Sequence, residues 1–158
     1  MAAFVPRIRY FRDETDVSWP SRQNVLVPID FSDESFRAVD TALEMVPSPE
    51  RLLVLHVLAE LSPVEPGELW QALNDDTRRQ HVADSLAQRF STPPYAGCRI
   101  EVRFGDPGHE ITECARQQQC DLIVISSHGR RGIRRLLIGS VAERVVRLAE
   151  CPVLVLRD

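Results

Sequence analysis

The sequence predicts an α/β protein with an open five-stranded parallel sheet and helices on both faces. Short continuous apolar runs, as strands buried on both faces require, alternate along the chain with segments of helical periodicity. This alternation is typical of parallel strands joined by right-handed crossovers. With 158 residues the chain fits one domain, which we expect over residues 24–158 after an N-terminal extension over residues 1–23.

The strands and helices follow from these patterns in chain order. The strands are expected at Asn24–Ile29, Leu52–Leu58, Cys98–Phe104, Leu122–Ile125 and Val153–Leu156. The first helix begins after Ser32, which is a good N-cap because two acids follow it. A long helix is expected over Glu68–Phe90, and two more follow the turns at Gly105 and Gly139. The last helix has an apolar set predicted to face the sheet: Val141, Ala142, Val145, Val146 and Ala149.

Composition excludes several classes of function. The chain is 44% hydrophobic and 27% charged, and no apolar run approaches the roughly 20 residues that a membrane span needs. Arginines and acids interrupt the first residues, so no signal peptide is indicated, and a cytoplasmic location is the expectation. The net charge of −4 argues against a nucleic-acid binder. The four cysteines are expected to be buried free thiols, because neither they nor the histidines have metal-ligand spacing.

Arginines are nevertheless concentrated in one stretch. Residues 130–147 contain a single acid, Glu143, and six arginines: Arg130, Arg131, Arg134, Arg135, Arg144 and Arg147. A local positive field beside two glycine turns favours a small polyanion as ligand. For Arg144 and Arg147 a solvated helix face is the favoured interpretation.

One glycine turn precedes this stretch, and a second lies within it. The fourth strand runs into Ser126, Ser127, His128 and Gly129, and nine residues later Gly139 precedes the last helix. Glycines at the end of a strand and at a helix N-terminus allow the backbone to approach phosphate closely. A structural alternative exists for the second turn, because Ser140 and Glu143 have the spacing of a capping box. The two roles are compatible, since other amides of that helix end would still point towards an anion.

The residues of these turns resemble the nucleotide motif of the universal stress proteins: Gly, two residues, Gly, nine residues, Gly, then Ser or Thr. The resemblance extends to Val25–Ser32 at the first strand and to Cys151–Val155 at the last. It implies a Rossmann-like sheet with strand order 3-2-1-4-5. One position departs from the motif, because Ser126 stands where its first glycine would be.

The resemblance also implies roles for individual residues. Pro28, Asp30 and the backbone of Val57 would hold the adenosine part of ATP, and Ser126 would lie near the ribose. Asp30 has an alternative role in stabilising the turn that it begins. Its carboxylate would repel phosphate, so it would lie at the nucleoside end or contact a divalent ion.

The phosphate end is implied in the same way. Five residues would hold the phosphates: Gly129, Arg130, Gly139, Ser140 and Val141. The neighbouring His128 is counted among the nucleotide-binding residues, and a structural role is favoured for it over a catalytic one. No P-loop, no dinucleotide fingerprint and no nucleophile with a paired base occurs, so the sequence favours a binding protein over an enzyme, without catalytic or metal-ligating residues.

The resulting hypothesis is a stress-response or signalling protein that binds ATP, with or without Mg²⁺, and forms a homodimer through its C-terminal strand. Cyclic AMP is the alternative ligand. One alternative function is a nucleotide-free family member that works through dimer and protein contacts, which Ser126 supports. The other is a slow ATP phosphohydrolase with a metal ion held by Asp30.

Overall fold

The computed structural model describes residues 22–59, 75–128 and 138–157. The strands of this part are β1 (Val25–Ile29), β2 (Leu52–Leu58), β3 (Arg99–Phe104), β4 (Leu122–Ser126) and β5 (Val153–Leu156). Its α-helices are α1 (Asp33–Leu43), α2 (Asp75–Arg89), α3 (Pro107–Gln117) and α4 (Ser140–Leu148), and a 3-10 turn at Pro49–Arg51 precedes β2. The strands form one parallel sheet in the order β3-β2-β1-β4-β5, which confirms the predicted fold class and strand order.

The sheet is covered on both faces, because alternate residues of each strand point to opposite sides. One face packs on α1 and α2, and its core includes Val27, Val54 and Val124. The other face packs on α3 and α4 around Leu26 and Ile123. The central strands are apolar at nearly every position for this reason, whereas β3 is half-buried at the sheet edge.

The caps of α1 and α3 follow the sequence closely. The Ser32 side chain accepts a hydrogen bond from the Ser35 amide at 3.2 Å, which confirms the predicted N-cap of α1. Asp106 caps α3 in the same way, accepting from the His109 amide at 2.9 Å. Both helices therefore begin at the carboxyl edge of the sheet, directly after β1 and β3.

One predicted helix extends beyond the described residues, and another differs in part from the structure. The long helix expected from Glu68 is described from Asp75, and the first part of that prediction lies outside the described residues. On α4, Ala142 and Val145 are buried as expected, but Val141 and Val146 are 37% and 50% exposed. Their assignment to the inner face was wrong, because a nine-residue helix on the flank of the sheet buries a narrower stripe than its apolar residues span.

Several predictions concern residues that the structure does not describe. The extension predicted over residues 1–23 falls almost entirely in this group, and only its last two residues are described. Gly129 and Arg130, both predicted to contact phosphate, also lie outside the described residues. In the part that is described, no helix is long and apolar enough to cross a membrane.

Candidate functional site

The strand order of the sheet reverses between β1 and β4, and the carboxyl ends of these strands lie on one side of the sheet, called here its carboxyl edge. The chain passes from β1 to β2 on one side of this point, and β4 and β5 lie on the other side. In open parallel sheets, ligands bind beyond the strand ends at such a reversal. The structure brings Asp30, which follows β1, and Ser126, which ends β4, to this same edge.

Pro28 interrupts the pairing of β1 with β4. The Asp121 amide donates to the Asn24 carbonyl at 2.9 Å, so Asn24, Leu26 and Pro28 direct their backbone groups towards β4. Pro28 has no amide to donate, and the pairing with β4 covers only Val25 and Leu26, whereas the pairing with β2 covers all five residues of β1. The two strands therefore lose their ladder towards the edge where a ligand would enter.

Asp30 stabilises the turn from β1 into α1. Its Oδ1 accepts from the Ser32 amide at 3.1 Å and from the Ser32 hydroxyl at 2.5 Å. The Ser35 hydroxyl in turn lies 3.4 Å from the Asp30 amide, which donates to it. The turn-stabilising role is thus present, and a contact to a nucleoside is compatible with it because a carboxylate has acceptor sites on both oxygens.

Phe31, next in the chain, was not singled out from the sequence. It is a non-glycine residue with φ of 65°, a conformation that bulky residues rarely adopt. Its ring packs edge-on against His56, with ring centroids 4.9 Å apart, and His56 Nδ1 lies 2.8 Å from the Ile29 carbonyl oxygen. Backbone strain of this kind accumulates at functional sites, but a phenylalanine carries no sequence signal for positive φ.

The turn after β4 is held by backbone hydrogen bonds on both sides. Ser127 is 4% exposed, and its amide donates to the Leu156 carbonyl at 2.7 Å. Its carbonyl accepts from the Gly139 amide at 2.6 Å, while its hydroxyl lies 3.1 Å from His128 Nδ1. These contacts fix the N-terminus of α4 against the end of β4 and are consistent with a structural role for His128.

Gly139 is required by a close approach of two backbones. A Cβ at this position would lie 2.9 Å from the Ser127 carbonyl oxygen, closer than real Cβ contacts. Its φ is −73°, so a left-handed conformation is not the reason for the glycine. The sequence predicted a glycine needed for close approach, and within the described residues the atom approached belongs to Ser127.

The N-cap of α4 is Gly139 rather than Ser140, which corrects the predicted capping box. Ser140 is the first residue of the helix and is exposed, and Gly139 provides no side-chain cap. The Glu143 amide bonds to the Gly139 carbonyl at 2.9 Å. A capping box with Glu143 would require Ser140 to be the N-cap, so that its hydroxyl could accept from an amide of the first turn. The close contact between Gly139 and Ser127 makes Gly139 the N-cap instead, so the helix begins one residue earlier. The Ser140 hydroxyl is consequently not used as a cap.

Other predicted residues have clear positions. Val57 lies near the end of β2, half-buried and paired with Arg103 of β3. Arg144 forms an ion pair with Asp106 at 2.9 Å, which supports the interpretation of this arginine as part of a helix surface. No group of three or more His, Cys, Asp or Glu side chains suited to a metal ion occurs in residues 22–59, 75–128 and 138–157.

A doubly wound parallel sheet with a glycine-started helix at its switch point defines a class of Rossmann-like proteins. Comparison with known proteins narrows the class. A model of the universal stress protein family matches residues 21–157. A universal stress protein of Methanocaldococcus jannaschii is 31% identical over 139 residues, covering 85% of this chain and 82% of the relative. The chain belongs to the universal stress protein family.

Solved structures agree with this assignment. The universal stress protein UspA from Lactobacillus plantarum is 30% identical, with a TM-score of 0.69 over 87% of this chain and 99% of its own. A universal stress protein crystallised in complex with cAMP is 25% identical, with a TM-score of 0.54 over 86% of this chain and 97% of its own. The family model and these structures together establish the fold and the family.

Proposed function

We propose that this chain is an adenine-nucleotide-binding protein that acts in stress response or signalling as a homodimer, rather than an enzyme. ATP, with or without Mg²⁺, is the expected ligand, and cAMP is the alternative. The related universal stress protein in complex with cAMP supports an adenine nucleotide. The observation that carries the proposal is the attachment of the α4 N-terminus to the end of β4 through Gly139 and Ser127.

This attachment suits the binding of an anion. The first amides of a helix have no intrahelical carbonyl to bond to, and the helix dipole adds a partial positive charge at that end. In α4 these amides belong to Ser140 and Val141, both exposed. We assign the phosphates to Gly139, Ser140 and Val141, together with Gly129 and Arg130 from the part of the chain outside the described residues.

The nucleoside is assigned to the neighbouring strand ends. Asp30 follows β1 and Ser126 ends β4, and these two strands are not paired with each other beyond Leu26. The backbone of Val57 lies near the end of β2. The order of these groups along the edge runs from the uncharged base to the charged phosphates. A carboxylate at the nucleoside end avoids repulsion from phosphate.

Isothermal titration of nucleotide-free protein with ATP and Mg²⁺, and separately with cAMP, tests the ligand. Mass spectrometry of small molecules released from the purified protein first establishes that the protein is nucleotide-free. Binding of either nucleotide supports the proposal. The absence of heat and of any thermal shift at millimolar concentrations of both would reject it.

The second candidate function is that of a nucleotide-free member acting through protein contacts, and Ser126 is the observation that favours it. A serine in place of the motif's first glycine adds a Cβ and a hydroxyl near the proposed ribose position. Ser126→Gly separates the two effects. Tighter binding in the variant means that the side chain crowds the sugar, and weaker binding means that its hydroxyl contributes a hydrogen bond.

Dimerisation is assigned to β5, an edge strand of the sheet. The Ile123 amide donates to the Pro152 carbonyl, and the Ser127 amide donates to that of Leu156. Because backbone groups alternate in direction along a strand, those of Val153 and Val155 point away from β4. Such an edge favours pairing with a second copy. Sedimentation at micromolar concentration tests this, and a monomer would contradict it.

A further inference from the structure

A cavity lies at the amino-terminal ends of β4 and β5, on the side of the sheet opposite the glycine turns. Its volume is about 210 Å³, and it lies beside the C-terminal half of α3. Two cysteines, Cys120 and Cys151, line it together with the charged residues Arg116 and Glu150. Neither cysteine forms a disulfide. Both cysteines therefore line one cavity, at the end of the strands opposite the glycine turns.

The end of α3 fixes the position of Cys120. Gln119 has a left-handed φ of 52°, and the amides of Gln119 and Cys120 return to the carbonyls of Arg116 and Ala115 at 3.2 and 2.8 Å. This pair of bonds is the Schellman arrangement, in which the residue at the Cys120 position packs against the preceding turn. Any small apolar side chain serves that packing, so the helix end does not account for a thiol.

The pairing of β4 with β5 brings Cys151 to the same place. Ile123 pairs with Val153, and the Ile123 amide donates to the Pro152 carbonyl at 3.0 Å. The same register continued towards the strand beginnings brings Asp121, the chain neighbour of Cys120, level with Cys151. Both cysteines belong to the apolar cluster on the α3 and α4 face of the sheet, so both side chains point to one side.

We propose that Cys120 and Cys151 form a two-thiol binding site for a soft monovalent d¹⁰ cation, with Cu(I) as the representative ion. Soft thiolate ligands select such ions, and a d¹⁰ cation accepts two thiolates in a linear arrangement. Binding replaces two S–H bonds by two Cu–S bonds and releases two protons to solvent, with no change of oxidation state. Within the described residues, no third His, Cys, Asp or Glu completes a group suited to zinc.

Charged groups of both signs lie around the cavity. Arg99 acts on Cys120 with a positive charge, and Arg116 lines the cavity itself, where it is also paired with Glu113 at 2.6 Å. The acids Glu101, Asp121 and Glu150 act in the opposite direction to these cations.

Competition for Cu(I) under anaerobic conditions tests the site. The reduced full-length protein is titrated against the chromophoric Cu(I) chelator bicinchoninate, together with Cys120→Ala, Cys151→Ala and the matched control Cys98→Ala. Cys98 packs on the other face of the sheet. Mutation of a residue that only hydrogen-bonds to a metal-coordinating side chain typically lowers metal affinity about 10- to 100-fold. Mutation of a coordinating cysteine should therefore lower the Cu(I) affinity by about 100-fold or more.

The expected result is one Cu(I) per chain for the wild type and Cys98→Ala, with binding lost in both of the other variants. Equal binding by all four proteins, or failure of the wild type to compete, would overturn the proposal. If either alanine variant does not fold, as judged by circular dichroism, X-ray absorption of the wild-type complex decides. Two sulfur neighbours support the site, whereas nitrogen or a third sulfur contradicts it.

Discussion

Ser140→Ala separates ligand binding from helix stability at the N-terminus of α4. Ser140 is exposed and is the first residue of the helix, after the N-cap Gly139, which has no side-chain cap. Removing the hydroxyl therefore removes no cap. Alanine also has the higher helix propensity, by a few tenths of a kcal/mol. The melting temperature of the variant should equal or slightly exceed that of the wild type.

Nucleotide affinity should respond differently. A hydroxyl donating to a charged phosphate oxygen contributes roughly 1.5–3 kcal/mol, or about ten- to a hundred-fold in affinity. Isothermal titration with ATP and Mg²⁺ measures this loss, and differential scanning calorimetry measures stability. Ser85→Ala is the matched control, because Ser85 is an exposed serine of α2 away from the glycine turns.

Two results would refute this reasoning. Unchanged affinity in a protein that does bind nucleotide would mean that the Ser140 hydroxyl does not contact phosphate. A fall in melting temperature of about 2–4 °C, which corresponds to about 1 kcal/mol for a chain of this size, would mean that Ser140 caps the helix in solution.

Three further predictions follow from the same contacts. Gly139→Ala should lower the free energy of unfolding by about 1–3 kcal/mol, as measured by chemical denaturation, and should weaken nucleotide binding. The reason is that the new Cβ would lie 2.9 Å from the Ser127 carbonyl oxygen. A variant as stable as the wild type would contradict this prediction. Val155→Pro should give a folded monomer in sedimentation. The control Leu154→Pro should instead lose stability, because the backbone of Leu154 faces β4. A dimeric Val155→Pro protein would exclude β5 as the interface. Stability should decline above about pH 8.5, because burial raises the pKa of Cys98 to about 11 and the unfolded chain releases the proton first. The Cys98 thiol makes its full contribution to the free energy of unfolding below about pH 8.5. This contribution falls by up to about 1.4 kcal/mol per pH unit as the pH rises and is lost by about pH 11. A Cys98→Ala variant whose melting temperature depends on pH as that of the wild type does would contradict the prediction.

The sheet was predictable because its strands are buried on both faces. Continuous apolar runs at β2 and β5 gave bounds that agree with the structure, and Ser32 marked the start of α1 through a local capping rule. The strand order came from the family resemblance, since no local pattern states which strands are neighbours. Local rules were thus sufficient for the elements and insufficient for their arrangement.

The predicted capping box and the predicted inner face of α4 were both wrong because they depend on contacts with segments distant in the sequence. Spacing alone gave Ser140 and Glu143 the pattern of a capping box, but the start of the helix is set by Gly139 bonding to Ser127. That bond joins segments separated by the stretch that contains Gly129, and no local pattern encodes it. The exposure of Val146 likewise depends on where α4 lies across the sheet.

Pro28 and Gly139 affect the same edge through opposite properties of the backbone. Pro28 removes a donor, so β1 and β4 are not paired where the ligand would enter. Gly139 removes a side chain, so the amide of α4's N-cap can reach the carbonyl that follows β4. Pro28 thus lies where the pairing of β1 with β4 ends, and Gly139 brings a helix N-terminus close to the end of β4. Backbone chemistry at these two positions therefore ends the β1–β4 pairing and fixes the α4 N-terminus on the same side of the sheet. The departure at Ser126 changes a side chain without altering either feature.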